Sequence, residues 1–193
     1  MESESRSLRK TFSEAEAQRK AIESSLTTTG SSFQDNLLAT IQIYEECLRI
    51  ANLVSLFSPN ETLEDINSSN LQYLLINFSL ADLTLKKIGG DRKAILLQAR
   101  DHYERFLKLL DSYDILSRAD AKLLEKFTES PNTFSTASTT DAASRRETKI
   151  ARFKEEKELR QKLEVQVSLR ERFTCHSSYS VVPPKESHSP RAR

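Results

Sequence analysis

Between Ser32 and Phe57 the chain contains neither glycine nor proline and carries two apolar seams instead of one. Leu37, Ile41, Tyr44, Leu48 and Ala51 form the first, and Ile43, Cys47, Ile50, Val54 and Phe57 the second. Spacings of three and four place each seam along one side of a helix. A helix that is apolar on two sides needs cover on both. This stretch therefore predicts a central helix in a stack, with other helices packed on either side. Cys47 falls on the second seam and reads as a core thiol, because free cysteine is among the most buried residue types.

The rest of the chain agrees with an all-α class. It has only three glycines and no tryptophan among 193 residues. Residues Ser5 to Leu26 form a weakly amphipathic surface helix with Leu8, Phe12, Ala15, Arg19, Ile22 and Leu26 in step, broken at Gly30. After Phe57, Pro59 and Asn60 stop the central helix, and Glu61 to Ile66 can make one short turn. Ser68 or Ser69 is placed to cap a helix from Asn70 to Ile88, with Leu71, Leu74, Phe78, Ala81, Leu85 and Ile88 as its stripe. Gly89-Gly90 ends that helix, and Asp91 caps the next, Arg92 to Tyr113, whose stripe is Leu96, Ala99, Tyr103, Phe106, Leu110 and Tyr113. So short a loop makes the two helices antiparallel neighbours. Ala99, Tyr103 and Phe106 have the small-then-aromatic spacing of a tetratricopeptide-repeat helix, although the full repeat consensus is absent. Ser117 to Phe127 adds a short helix that caps the stack.

The predicted organisation is a repeat-like scaffold of antiparallel helical hairpins over residues 5–128, a Ser/Thr-rich linker over 129–144, a basic helix over 145–172 and a disordered tail over 173–193. The linker composition cannot bury enough surface to order itself. The tail loses helical period and gains three prolines.

Composition excludes several classes. With 29 basic and 28 acidic residues the net charge is +1, which argues against a dedicated nucleic-acid or membrane-surface protein. Cys47 and Cys175 make no disulfide framework, and the N-terminus lacks the apolar run of a signal peptide. The expected setting is the cytoplasm, with a nuclear share allowed. There is no phosphate-binding glycine loop, no paired-cysteine or paired-histidine metal motif and no nucleophile elbow, so neither catalysis, a cofactor, a metal nor a small-molecule substrate is expected. His102 lies off the stripe of its helix and reads as solvent-facing.

One polar surface stands out. From Arg145 to Arg172 ten Lys or Arg outnumber six Glu, a net +4. Wound at 100° per residue, Arg146, Lys149, Phe153, Lys157 and Arg160 share one side with Ile150 beside them, and Glu164 closes it. Leu159, Leu163 and Val167 turn elsewhere. Three readings fit this helix on its own. It can be a solvated helix laced with pairs such as Arg152–Glu156 and Lys154–Glu158, worth ~0.3 kcal/mol each. It can be a basic RNA-binding helix, which the interleaved glutamates weaken. Or it can grip an acidic patch on another protein through Arg146, Lys149, Phe153 and Lys157.

Three blocks in order, Phe57–Ile88, Ala99–Leu116 and Arg145–Leu163, resemble the TAP-forty-two-like family, whose animal members are called alpha-four or immunoglobulin-binding protein one. The likeness covers roughly Phe33 to Leu163 and fades after Gln166. It implies an all-helical, tetratricopeptide-like domain without catalytic activity. Such a domain binds and shelters catalytic subunits of type-2A-like serine/threonine protein phosphatases, competes with the holoenzyme's scaffold subunit, and is linked to TOR kinase signalling. In the family an Arg-x-x-Lys pair contacts an acidic site on the catalytic subunit; here that pair is Arg146 and Lys149. Family members continue with another long apolar helix that packs on the basic one, so this chain reads as a C-terminally truncated member. Set beside this reading are a helical-repeat adaptor that holds some other protein in a groove between its middle helices, and the RNA-binding helix.

Overall fold

The computed structural model describes residues 7–25, 30–58, 60–135 and 141–177, the last segment with side chains to 166. Among them the chain forms six α-helices and no strand: α1 Leu8–Ser24, α2 Ser31–Leu53, α3 Ile76–Leu85, α4 Arg92–Ser112, α5 Arg118–Glu129 and α6 Ala142–Ser177. It divides into two compact units, Met1–Pro131 and Asn132–Arg193. In the first unit α1 packs on α2, α2 on α3 and α3 on α4. The all-α stack of hairpins is as the sequence predicts, and α2 is covered on two sides.

The core draws Phe12, Ala15 and Ile22 from α1, and Phe33, Leu37, Ile41, Tyr44, Cys47 and Ala51 from α2. Tyr73, Ile76, Leu80 and Leu83 complete it. The Phe12 ring meets Tyr44 edge-on at 6.2 Å and Tyr73 at 5.1 Å, so one aromatic from α1 joins α2 to the turn before α3. Tyr44 is fully buried and needs a partner for its hydroxyl, which donates to Glu16 Oε1 at 2.5 Å. Burial alone would push the Glu16 carboxyl up; its bonds from Arg19 and Tyr44 outweigh that and hold it below the ordinary carboxylate range. Cys47 is in the core as expected, and burial pushes its thiol up to about 12.

The helix ends depart from the sequence reading in instructive ways. α2 stops at Leu53, four residues short of Phe57, because Ser55 adopts a left-handed φ of 48°. Ser55 N then donates to Asn52 O and Leu56 N to Ala51 O, a Schellman closure that turns Leu56 and Phe57 back against the core and leaves Val54 exposed. α4 ends the same way through Asp114, φ 54°. Neither Ser68 nor Ser69 caps the third helix. Asn67 Oδ1 instead accepts from Ser69 N at 3.0 Å, and the chain enters α3 through a 3-10 turn, Leu71–Leu75. Gly89 and Gly90, φ 87° and 71°, close the α3–α4 turn in backbone that favours glycine, and Asp91 caps α4 by accepting from Lys93 N at 2.9 Å. Ser117 caps α5 through Asp120 N at 3.1 Å.

His102 corrects a second expectation. It is buried, with only 9% of its surface exposed, and its Nδ1 lies 3.4 Å from Asn77 Oδ1. Ala99 sets the close approach of α4 to α3, which brings Ile95 and His102 inward and leaves Leu96, placed on the stripe by its spacing, exposed. Tyr103 and Phe106 pack their rings on Phe78 at 5.9 and 5.5 Å. Some expectations fall outside the described residues: the breaking residues 26–29, the stop at Pro59, the linker's centre at 136–140 and the tail from 178 onward. Residues 173–177, read as the start of that tail, continue α6.

Two outcomes follow for stability. Tyr44→Phe removes the donor to Glu16 and should cost about 1.5–3 kcal/mol, the range for a hydrogen bond to a charged group, read from chemical denaturation. Burial, followed by the Arg105 cation, lowers His102 from its ordinary 6.5 in the fold, opposed by Asp101 and Glu45. The native state thus prefers neutral His102, and the unfolded chain binds the extra proton. That stability is complete above pH 6.5 and is lost as pH falls from there through the lower native value. The Tm of the wild type should drop more between pH 7.5 and 5.5 than that of His102→Gln.

Candidate partner-binding helix

The polar helix is better started than its sequence suggests. Asp141 caps it: Oδ1 accepts from Ala143 N at 3.0 Å, Oδ2 from Ser144 N at 3.1 Å, and its carbonyl from Arg145 N at 3.2 Å. The signal was present as an Asp before an Ala-Ala pair, inside a stretch whose Ser/Thr content reads as linker. α6 then runs 36 residues to Ser177. At 1.5 Å per residue that is a rod of about 54 Å.

On this rod Arg146, Lys149, Phe153 and Lys157 lie within about 80° of one another around the axis. All four are exposed, Phe153 at 66%. Ile150 beside them is exposed too. Among the described residues, neither Arg146, Lys149 nor Lys157 takes part in an ion pair; the one salt bridge along α6 joins Arg160 to Glu156 at 3.0 Å. That pair corrects the two expected ones, since Glu156 turns toward Arg160 and away from Arg152. The physical reason is direction. An acid placed one turn N-terminal to a cation opposes the helix dipole favourably, whereas Arg152–Glu156 and Lys154–Glu158 run the other way. Arg160, the fourth cation of the side, is thereby partly neutralised. Leu159 and Leu163 stand exposed on another side.

The rest of the described surface offers little competing chemistry. No group of His, Cys, Asp and Glu among the described residues is arranged to hold a metal ion, and no described helix is long and apolar enough to cross a membrane. What α6 offers is a cationic strip with an aromatic at its centre, able to give charge-assisted hydrogen bonds to carboxylates and to bury one ring.

A stack of antiparallel helical hairpins followed by a long charged helix is the form of a helical binding scaffold. The chain belongs to the TAP42-like family, whose model matches residues 8–178. The match takes in α1 and the remainder of α6, beyond the limits at Phe33, Leu163 and Gln166 read from the sequence alone. It is similar to the "PP2A regulatory subunit TAP46" of Oryza sativa subsp. japonica, 29% identical over 139 residues, covering 72% of this chain and 31% of the relative. The "Uncharacterized protein C63.05" of Schizosaccharomyces pombe is 32% identical over 119 residues, 62% of this chain and 34% of the relative. The human "Immunoglobulin-binding protein 1 family member C" is 29% identical over 150 residues, 74% and 43%. The matched stretch thus spans about a third of the length of the first two. Among solved structures, that described as "The Structure of Tap42 Alpha4 Subunit" superposes with a TM-score of 0.64 at 19% identity, over 86% of this chain and 79% of that one, and shows the same fold.

Exposed side chains without structural partners should be removable at little cost. Alanine at Arg146, Lys149 or Phe153, singly, should change unfolding free energy by no more than about 0.5 kcal/mol. A loss above ~1 kcal/mol at any of them would make it a structural residue instead of a free surface one.

Proposed function

We propose that this protein is a non-catalytic regulator that binds the catalytic subunits of type-2A-like serine/threonine protein phosphatases. The observation that carries the reading is the exposure of Arg146 and Lys149, one turn apart and engaged by no described carboxylate, in a chain of the TAP42-like family. Relatives from three plant species besides Oryza share the printed name "PP2A regulatory subunit TAP46", which supports a phosphatase as partner. An Arg and a Lys at this spacing reach two neighbouring carboxylates at once, and Phe153 with Ile150 supplies apolar contact that excludes water between them. Where water is excluded, removing one side of such a charge pair costs ~2–5 kcal/mol. In this reading the domains divide as scaffold, linker, phosphatase-binding helix and tail. The bound catalytic subunit is sheltered in the cytoplasm, under TOR signalling, and nucleic acid, membrane and small molecules are not partners.

A second reading has one observation in its favour. Leu71, Leu75 and Phe78 are exposed at helical spacing, with Phe78 against the Tyr103 and Phe106 rings, and could hold an apolar partner segment in an adaptor of another kind. Charge reversal separates the two. Arg146→Asp with Lys149→Asp should abolish co-purification of the catalytic subunit while the helical circular-dichroism signal stays that of the wild type. Undiminished binding would move the site off α6.

A further inference from the structure

The side of α6 opposite the docking strip carries a second arrangement. Thr148 lies about 160° around the axis from Arg146. Two arginines stand three and two residues before it in the run Arg145-Arg146-Glu147-Thr148. Arg145 is three residues before Thr148 and Arg152 four after, so both sit on its own side, with Cβ atoms about 5–6 Å away. Both are exposed, and among the described residues neither is in an ion pair. Thr148 is half-buried, and its hydroxyl donates to Ser144 O at 2.9 Å, back-bonding that weakens the helix locally.

We propose that Thr148 is a phosphoacceptor for an arginine-directed protein kinase, and that its phosphate is clamped on α6 between Arg145 and Arg152. Kinases of this class read guanidinium groups two and three residues before the acceptor with carboxylates, for which the planar fork of arginine is suited. The kinase supplies a nucleoside triphosphate. Thr148 Oγ bonds to the γ-phosphorus, the bond to the bridging oxygen breaks, the diphosphate leaves and the hydroxyl proton passes to the kinase's base. Opening the first two turns of α6 presents the acceptor in extended form, which a helix exposed along its length permits at low cost. On reclosing, the phosphate lies between two cations with nothing else to hold, and each can form a charge-assisted hydrogen bond to it. The mark adds nearly two negative charges on the side away from Arg146, Lys149 and Phe153. The inference rests on the geometry of α6 alone and stands or falls separately from phosphatase binding.

The test uses the full chain, magnesium-ATP and the catalytic subunit of cyclic-AMP-dependent kinase as probe, with phosphate located by mass spectrometry. The expected result is one phosphate at Thr148, none there in Thr148→Ala, restoration in Thr148→Ser, and about a tenfold or greater fall in kcat/KM for Arg145→Ala, as for loss of one desolvated charge contact. Phosphorus NMR then titrates the modified chain. Its phosphate should ionise at lower pH than in the same chain unfolded in urea, and Arg152→Ala should recover part of that difference while changing the phosphorylation rate by less than about twofold. Modification elsewhere, or none, overturns the acceptor assignment. Equal titration in folded and unfolded chains overturns the clamp.

Discussion

The first unit depends on the two-sided burial of α2, and the hardest part of that burial is polar. Tyr44 sits at its middle with no solvent exposure, and its hydroxyl must be satisfied inside. Glu16 of α1 accepts it, and Arg19 grips the other carboxylate oxygen at 2.8 Å. One phenol therefore fixes the register of α1 on α2. The apolar contacts around it supply most of the driving force, but they would tolerate a slide of one helix on another. The Tyr44 hydrogen bond would not.

Much of this was legible in the sequence because helical period reports burial. Two seams on α2 meant two neighbours, and two neighbours are present. Gly89-Gly90 before Asp91 marked a turn whose backbone needs glycine, followed by a cap that needs a short acceptor. Illegible were the helix ends made by Ser55 and Asp114, because a left-handed residue other than glycine leaves no compositional trace. His102 was misread for a related reason. Its burial depends on how α4 rotates about the Ala99 contact and on the carbonyl of Asn77 opposite, both tertiary facts.

The proposed docking strip was legible to a different degree. Helical winding alone groups Arg146, Lys149, Phe153 and Lys157, because their shared side follows from residue spacing within one helix and not from packing. Which cations remain free was not legible: Glu156 has arginines one turn away on both sides and takes Arg160, following the helix dipole. Nor was the start of the rod, since Asp141 and two alanines lie inside a stretch of linker composition. The apolar residues of α6 illustrate the limit of period arguments. Leu159 and Leu163 form a stripe by spacing, yet spacing does not say whether anything covers it.

The central claim is that α6, and not the hairpin stack, makes first contact with a phosphatase catalytic subunit. Amide hydrogen exchange on the chain with and without purified catalytic subunit tests this most directly. The account predicts slowed exchange concentrated between Arg146 and Arg160. Protection confined to α3 and α4 around Phe78, with α6 exchanging as in the free chain, would contradict it.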